Sequence, residues 1–122
     1  MSKDTLEKFE AHRLAMELFD LVVEDMAKIA KKRTMEKLIS QQLGSVDSIA
    51  ANIEEGYGRE TMKEYISFLV IARGSARETC GRYKRRRHWY KEELVKDRVA
   101  RCNHIIASLT KTIGTLKRKG SR

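Results

Sequence analysis

Apolar residues recur along this chain in alternating steps of three and four, the spacing that puts them on one face of a helix. The pattern runs through four stretches. The first, about residues 9–32, aligns Ala11, Ala15, Leu18, Val22, Met26 and Ile29. The second, about 35–56, aligns Met35, Ile39, Gln42, Val46, Ile49 and Ile53. The third, about 62–87, aligns Tyr65, Leu69, Ala72, Ala76, Thr79 and Tyr83. The fourth, about 91–117, is the most regular: Val95, Val99, Cys102, Ile106, Leu109, Ile113 and Leu116. Seams of this kind suit long helices crossing at shallow angles. With short connections they predict an all-α, antiparallel up-down-up-down four-helix bundle forming one domain over residues 1–122.

The breaks between stretches carry their own signals. KKRT at 31–34 places cations at a helix C-terminus, where they oppose the negative end of the dipole, and Thr34 is the expected cap of the second helix. Gly56 and Gly58 in EEGYGRET suggest a left-handed helix end. Thr61 and Glu64 have the spacing of a capping box opening the third helix. HWYKEE at 88–93 is the weakest break, with neither Gly nor Pro. The final KRKGSR is expected to fray.

The third stretch departs from a simple amphipathic helix. YISFLVIA at 65–72 is apolar almost all round, and Ala72, Ala76 and Cys80 form a ridge of small residues. A helix without a polar face is buried or covered by another subunit, so homo-oligomerisation is expected. Gln42, on the apolar stripe, reads as a core polar group with its bonds met, one that fixes register.

Composition supports the helical reading: the 122 residues include no proline. No run is long enough to span a membrane, and the polar start MSKDTLEKFE lacks the features of a secretory or transit peptide, so a cytoplasmic location is expected. Cys80 and Cys102 read as buried free thiols. His12, His88 and His104 are scattered without a carboxylate cluster, so neither metal nor other cofactor is expected. Cys80 and His88 lie about 12 Å apart along a helix, too far for a nucleophile and its base. Asn52 and Glu55 read as helix-end polar groups, and GYG as a turn rather than a phosphate loop. The chain reads as non-catalytic.

Charge changes the picture most. Residues 1–60 hold 9 Lys+Arg against 12 Asp+Glu, a net of −3; residues 61–122 hold 17 against 5, a net of +12. The densest stretch is CGRYKRRRHWY at 80–90. Arg73, Arg77, Arg82, Lys84, Arg85, Arg86 and Arg87 on the third helix, with Lys91, Arg98 and Arg101 on the fourth, form the candidate nucleic-acid-binding set; Lys96 and the tail Lys117, Arg118 and Lys119 add to the charge. A solvated helix end accounts for two or three of these cations. Charge this dense with so few acids fits a polyanion better, through phosphate contacts to RNA or DNA. An acidic protein docked on the same face is the competing reading. Tyr83, Trp89 and Tyr90 stack on unpaired bases or pack the bundle end, and packing is the commoner arrangement.

SIAANIEEGYGR at 48–59 and KEYISFLVIARGSARE at 63–78 resemble the four-helix-bundle family of 23S rRNA intervening-sequence proteins. Its pattern is S-I-x-x-N-I-x-E-G-x-G-R, followed by a helix opening E-[YF]-x-x-F-L and passing through A-x-G-S. Ser48, Ile49, Asn52, Ile53, Glu55, Gly56, Gly58 and Arg59 match the first part; Glu64, Tyr65, Phe68, Leu69, Ala72, Gly74 and Ser75 match the second. The similarity spans roughly residues 9–117. It implies a four-helix bundle assembled as a pentamer, with a structural role for Asn52, Glu55, Gly56, Gly58, Arg59 and Tyr65. Function across the family is poorly defined. One related branch, the accessory variability proteins of diversity-generating retroelements, comprises basic pentamers that bind nucleic acid and a reverse transcriptase, and the basicity here points toward it. A ribosomal-RNA-related role is the alternative within the same resemblance. Ala50 stands where the family often has proline, and TCGRYKRRRHWY replaces a Leu-rich continuation of the third helix.

Overall fold

The computed structural model describes residues 9–31 and 33–120. It contains four long helices: α1 (Glu10–Ile29), α2 (Glu36–Tyr57), α3 (Met62–Arg85) and α4 (Glu92–Gly120). Short 3₁₀ turns at Arg33–Met35 and Arg86–His88 join α1 to α2 and α3 to α4. Each helix packs on its sequence neighbours, α1 also packs on α4, and the closest pairs are α2 with α3 and α3 with α4. The result is the expected up-down-up-down bundle. The α1–α2 and α3–α4 connections share one end; the α2–α3 corner and the end of α4 share the other. No helix among the described residues is long and apolar enough to cross a membrane.

The seams of α1 and α3 are fully buried, and that of α2 is buried except for the partly exposed Ile39. The α4 stripe sits slightly rotated from the expected one. Cys102, Ile105, Leu109 and Ile113 are buried, whereas Val95, Val99, Ile106 and Leu116 lie at its margin. The ridge Ala72, Ala76 and Cys80 faces the core of the same chain, so its small residues serve close packing within the bundle.

A polar ladder crosses the α2–α3 interface. Ser75 Oγ donates to Ser48 Oγ at 2.8 Å, Asn52 Nδ2 donates to Ser48 O and Oγ at 2.7 and 2.8 Å, and Thr79 Oγ1 lies 3.1 Å from Ser45 Oγ. These hydroxyls are spaced along both helices, so sliding one helix by a turn would unpair them in a buried setting, which is costly. Gln42 joins the ladder only in part: Nε2 reaches Thr79 O at 3.4 Å, but Oε1 meets no partner among the described residues. Its bonds are therefore not fully met, contrary to the expectation from sequence.

The α2–α3 corner corrects the reading of its glycines. No described glycine has positive φ, and Gly58 ends α2 at φ −83°, ψ −2°. Gly56 is helical and is needed for proximity instead: a Cβ there would sit 2.7 Å from Phe68 Cβ and 3.1 Å from Tyr65 Cδ1. Around it, Arg59 pairs with Glu55 and lies over the Phe68 ring at 4.8 Å, and Tyr57 meets Tyr65 edge-on at 6.0 Å. Burial, then Tyr57, pushes the Tyr65 hydroxyl up to about 12. Half of the expected capping box forms: Thr61 Oγ1 caps α3 by accepting from Glu64 N at 3.2 Å, while the Glu64 carboxylate takes the Thr61 hydroxyl at 3.1 Å in place of the Thr61 backbone N–H. Thr34 does not cap α2. The N-cap is Met35, without a side-chain bond, because a 3₁₀ turn leads straight into the helix. At the far end α4 is helical through Gly120, which takes in the residues KRKG; Ser121 and Arg122 lie outside the described residues.

Candidate nucleic-acid interface

The α3–α4 turn is built in two layers. Its inner layer grips Asp25, a fully buried carboxylate near the end of α1. Arg98 of α4 meets it in bidentate fashion, Nε to Oδ2 at 2.7 Å and Nη2 to Oδ1 at 3.1 Å. Tyr83 of α3 donates to Oδ2 at 2.6 Å, and Tyr90 of the turn donates to the Asp25 carbonyl. α3, the turn and α4 thus converge on one residue of α1. The Asp25 hydrogen bonds raise the Arg98 pKa above the ordinary arginine value, and burial followed by the same carboxylate raises that of Tyr83. Burial and then Asp25 push the Tyr90 hydroxyl up to about 12. Arg86, 3 % exposed, completes the layer by reaching Leu38 O on α2 at 3.4 Å. Burial, then Arg82 and Arg85, lowers its pKa.

The outer layer is different in kind. Lys84, Arg85, Arg87 and Lys91 are exposed, and none pairs with a carboxylate among the described residues. Arg87 Nη1 bonds the Lys84 carbonyl at 3.1 Å, which keeps its stem close to the helix end. Lys84, Arg87 and Lys96 border one hollow of about 420 Å³, with Glu92 and Tyr90; Lys96 is held by Glu92 at 3.2 Å. The α1–α2 connection brings exposed Lys28, Lys31, Arg33 and Lys37 to the same end. From sequence, the cations of KKRT read only as partners of the helix dipole.

The ten arginines and lysines singled out from sequence therefore divide. Lys84, Arg85, Arg87 and Lys91 come together at the bundle end. Arg82 leans toward α2, donating to Gln41 Oε1 at 3.2 Å. Arg73 lies midway along α3 and donates to Thr110 Oγ1 at 3.2 Å, while Arg77 is exposed one turn further on. Arg101 bonds Asp97 at 2.9 Å and approaches Glu17 at 3.9 Å, on the α1–α4 side. Burial alone would raise the Asp97 pKa, but the hydrogen bonds from Arg101 and Arg98 outweigh it and hold it low. Arg86 and Arg98 point inward and are engaged by protein oxygens. Sequence reasoning missed Asp25, although it stands three residues after Val22 and four before Ile29, on the core rhythm. Arg98 stands likewise between Val95 and Cys102.

Elsewhere the polar groups hold helices together. His12 meets Glu54 at 2.8 Å and His104 meets Glu10 at 3.0 Å, tying α1 to α2 and to α4. Cys80 and Cys102 are buried free thiols. Burial, then Cys80, pushes the Cys102 thiol up to about 12, which disfavours thiolate chemistry. A cleft of about 500 Å³ opens at the far end between Phe9, Tyr57, Tyr65 and Leu116.

Comparison with known proteins agrees with this architecture. A crystal structure of a protein of unknown function from the S23 ribosomal protein family of Bacteroides thetaiotaomicron superposes with a TM-score of 0.79. It is 21 % identical, with 85 % of this chain and 95 % of that chain covered, so the likeness speaks for the fold. No curated protein matches this sequence. The family model of the 23S rRNA-intervening sequence protein matches residues 7–111, which take in the polar ladder, the Gly56 corner and the two-layered turn, and the chain belongs to that family.

Proposed function

We propose that this protein is a non-catalytic, homo-oligomeric accessory protein that binds RNA or DNA through phosphate contacts at the α3–α4 end of the bundle. The observation that carries the reading is the outer layer: exposed Lys84, Arg85, Arg87 and Lys91 without carboxylate partners among the described residues, beside Lys28, Lys31, Arg33 and Lys37. Like charges gathered this way repel one another until an anion lies across them. Arginine suits phosphate oxygens because its planar fork donates two parallel bonds.

Oligomerisation is supported by the middle of α3, where the apolar Val70 and Ile71 are 40 and 50 % exposed, side chains that a second copy would cover. Five copies, the number implied by the family resemblance, would present five basic ends and convert weak sites into avid binding. On the resemblance to retroelement accessory proteins, the nucleic acid would be handed to a reverse transcriptase. A ribosomal-RNA target is the alternative within the family, and an acidic protein docked on the same cations is the alternative outside it.

The test is a titration of labelled single-stranded RNA and duplex DNA at low salt, with polyglutamate as competitor and sedimentation recording the assembly. Binding by the native oligomer, abolished on changing Lys84, Arg85, Arg87 and Lys91 to Gln, is the expected result. No binding by a folded protein would overturn the reading. Displacement by polyglutamate far below the phosphate-equivalent concentration would turn it toward the acidic partner.

A further inference from the structure

We infer that the hollow beside Trp89 is a slot for one unpaired base, so that the basic end prefers single-stranded nucleic acid to duplex; this rests on the nucleic-acid reading above. The α3–α4 turn carries three aromatic residues with three different fates. Tyr83 is fully buried, and Tyr90 is half-buried with its hydroxyl tied to the Asp25 carbonyl, which fixes its ring as a wall. Trp89, the chain's single tryptophan, stays 38 % exposed amid the outer cations. His88 meets it at 72° with centroids 5.8 Å apart, an edge contact and not a stack.

Trp89 lines a hollow of about 470 Å³ together with Lys28, Tyr90, Lys91, Glu93 and Leu94. The lining suits a base more than a phosphate. An indole and Leu94 offer apolar surface, and Glu93 would repel a phosphate but can accept from the amino group of a base. Lys28 and Lys91 flank the slot where a backbone would pass. Tyr90 also borders the neighbouring hollow of Lys84, Arg87 and Lys96, so a base site and a phosphate site share one wall. The platform is fixed from beneath: Trp89 N donates to Arg86 O at 2.9 Å, Arg86 is held by Leu38 O, and Tyr90 by α1. A tryptophan has only two side-chain torsions to fix, so it stacks at little cost in side-chain freedom. A duplex hides its base faces, so filling the slot from a duplex requires unstacking a base first.

Because Trp89 is the sole tryptophan, its fluorescence reports on the slot directly. The protein is titrated with an end-labelled single-stranded RNA of about 12 nucleotides, within the range of single-strand site sizes, and with a duplex of equal length. Label anisotropy and tryptophan emission are followed together. The expected result is tryptophan quenching by the single strand alone, and affinity for it roughly tenfold or more above that for the duplex. Trp89→Leu should bring single-strand affinity down to the duplex level without changing its salt dependence, and Trp89→Phe should restore part of it. Single-strand binding with unchanged emission, or Trp89→Leu binding like the parent, would overturn the slot while leaving the basic interface intact. Absence of binding to either probe would overturn the interface and the slot with it.

Discussion

Arg86 and Arg87 are neighbours in sequence and belong to different layers of the same turn. Arg86 is buried and bonded to Leu38 O, whereas Arg87 is exposed and reaches only the carbonyl of its own helix end. The division extends through the region: Tyr83, Tyr90 and Arg98 close on Asp25, while Lys84, Arg85, Trp89 and Lys91 face water. Charge density alone thus mixes two duties. Inner cations neutralise a buried acid and fix the turn; outer cations have no carboxylate partner among the described residues and are available to an anion. On the proposed reading, the inner layer matters because it holds the outer one in place.

That contrast breaks most visibly at Arg98. Replacing it with Met leaves the buried Asp25 carboxylate with the Tyr83 hydroxyl and, at 4.0 Å, the exposed Lys28, and should cost about 3 kcal/mol, read as a fall in the urea midpoint. Adding Asp25→Asn should restore part of that stability, since an amide oxygen still accepts from Tyr83. Equal midpoints for parent and Arg98→Met would erase the distinction between layers.

Alkaline titration should expose the buried hydroxyls and thiol of the inner layer, the core and the α2–α3 corner together. Tyr65, Tyr90 and Cys102 are each held protonated up to about 12, and Tyr83 shifts the same way. The unfolded chain releases these protons near pH 9–10, so above that range it binds fewer protons than the native state. Stability should be fully present below about pH 9 and fall as pH rises toward about 12, by thermal unfolding across the series. Stability that stays flat over this range would contradict the buried placement.

Gly56→Ala sharpens a different comparison, that between the turn and the α2–α3 corner. The added methyl must move Phe68, whose Cβ is fixed to the α3 backbone, at a cost of about 1–3 kcal/mol. Nucleic-acid affinity, measured while the protein is still folded, should be unchanged because the corner lies at the far end. The smallest effect on stability belongs to the outer layer. Changing Lys84, Arg85, Arg87 and Lys91 to Gln should leave the melting temperature level or slightly raised, as repulsion is relieved.

The bundle was legible because a three-four apolar rhythm has few other interpretations, and the seams of α1 and α3 agree residue by residue. The Thr61 cap of α3 was legible because both partners lie within one turn. Gly56 misleads in sequence because its close approach to Phe68 depends on a second helix, whereas a left-handed cap is a local signal. The division of the basic cluster is hidden for the same reason: only packing shows which arginine meets Asp25, a residue on another helix. The α1–α2 cations join the basic end through topology, since antiparallel helices bring two separate connections to one end.

The salt dependence of single-stranded RNA affinity tests the central claim most directly. Log affinity should fall linearly with log salt for the parent protein. The variant with Lys84, Arg85, Arg87 and Lys91 changed to Gln should show a shallower slope, by about 0.7 for each phosphate that is no longer neutralised. Parallel lines for parent and variant, with both proteins folded, would show that these cations meet no phosphate and would contradict the account.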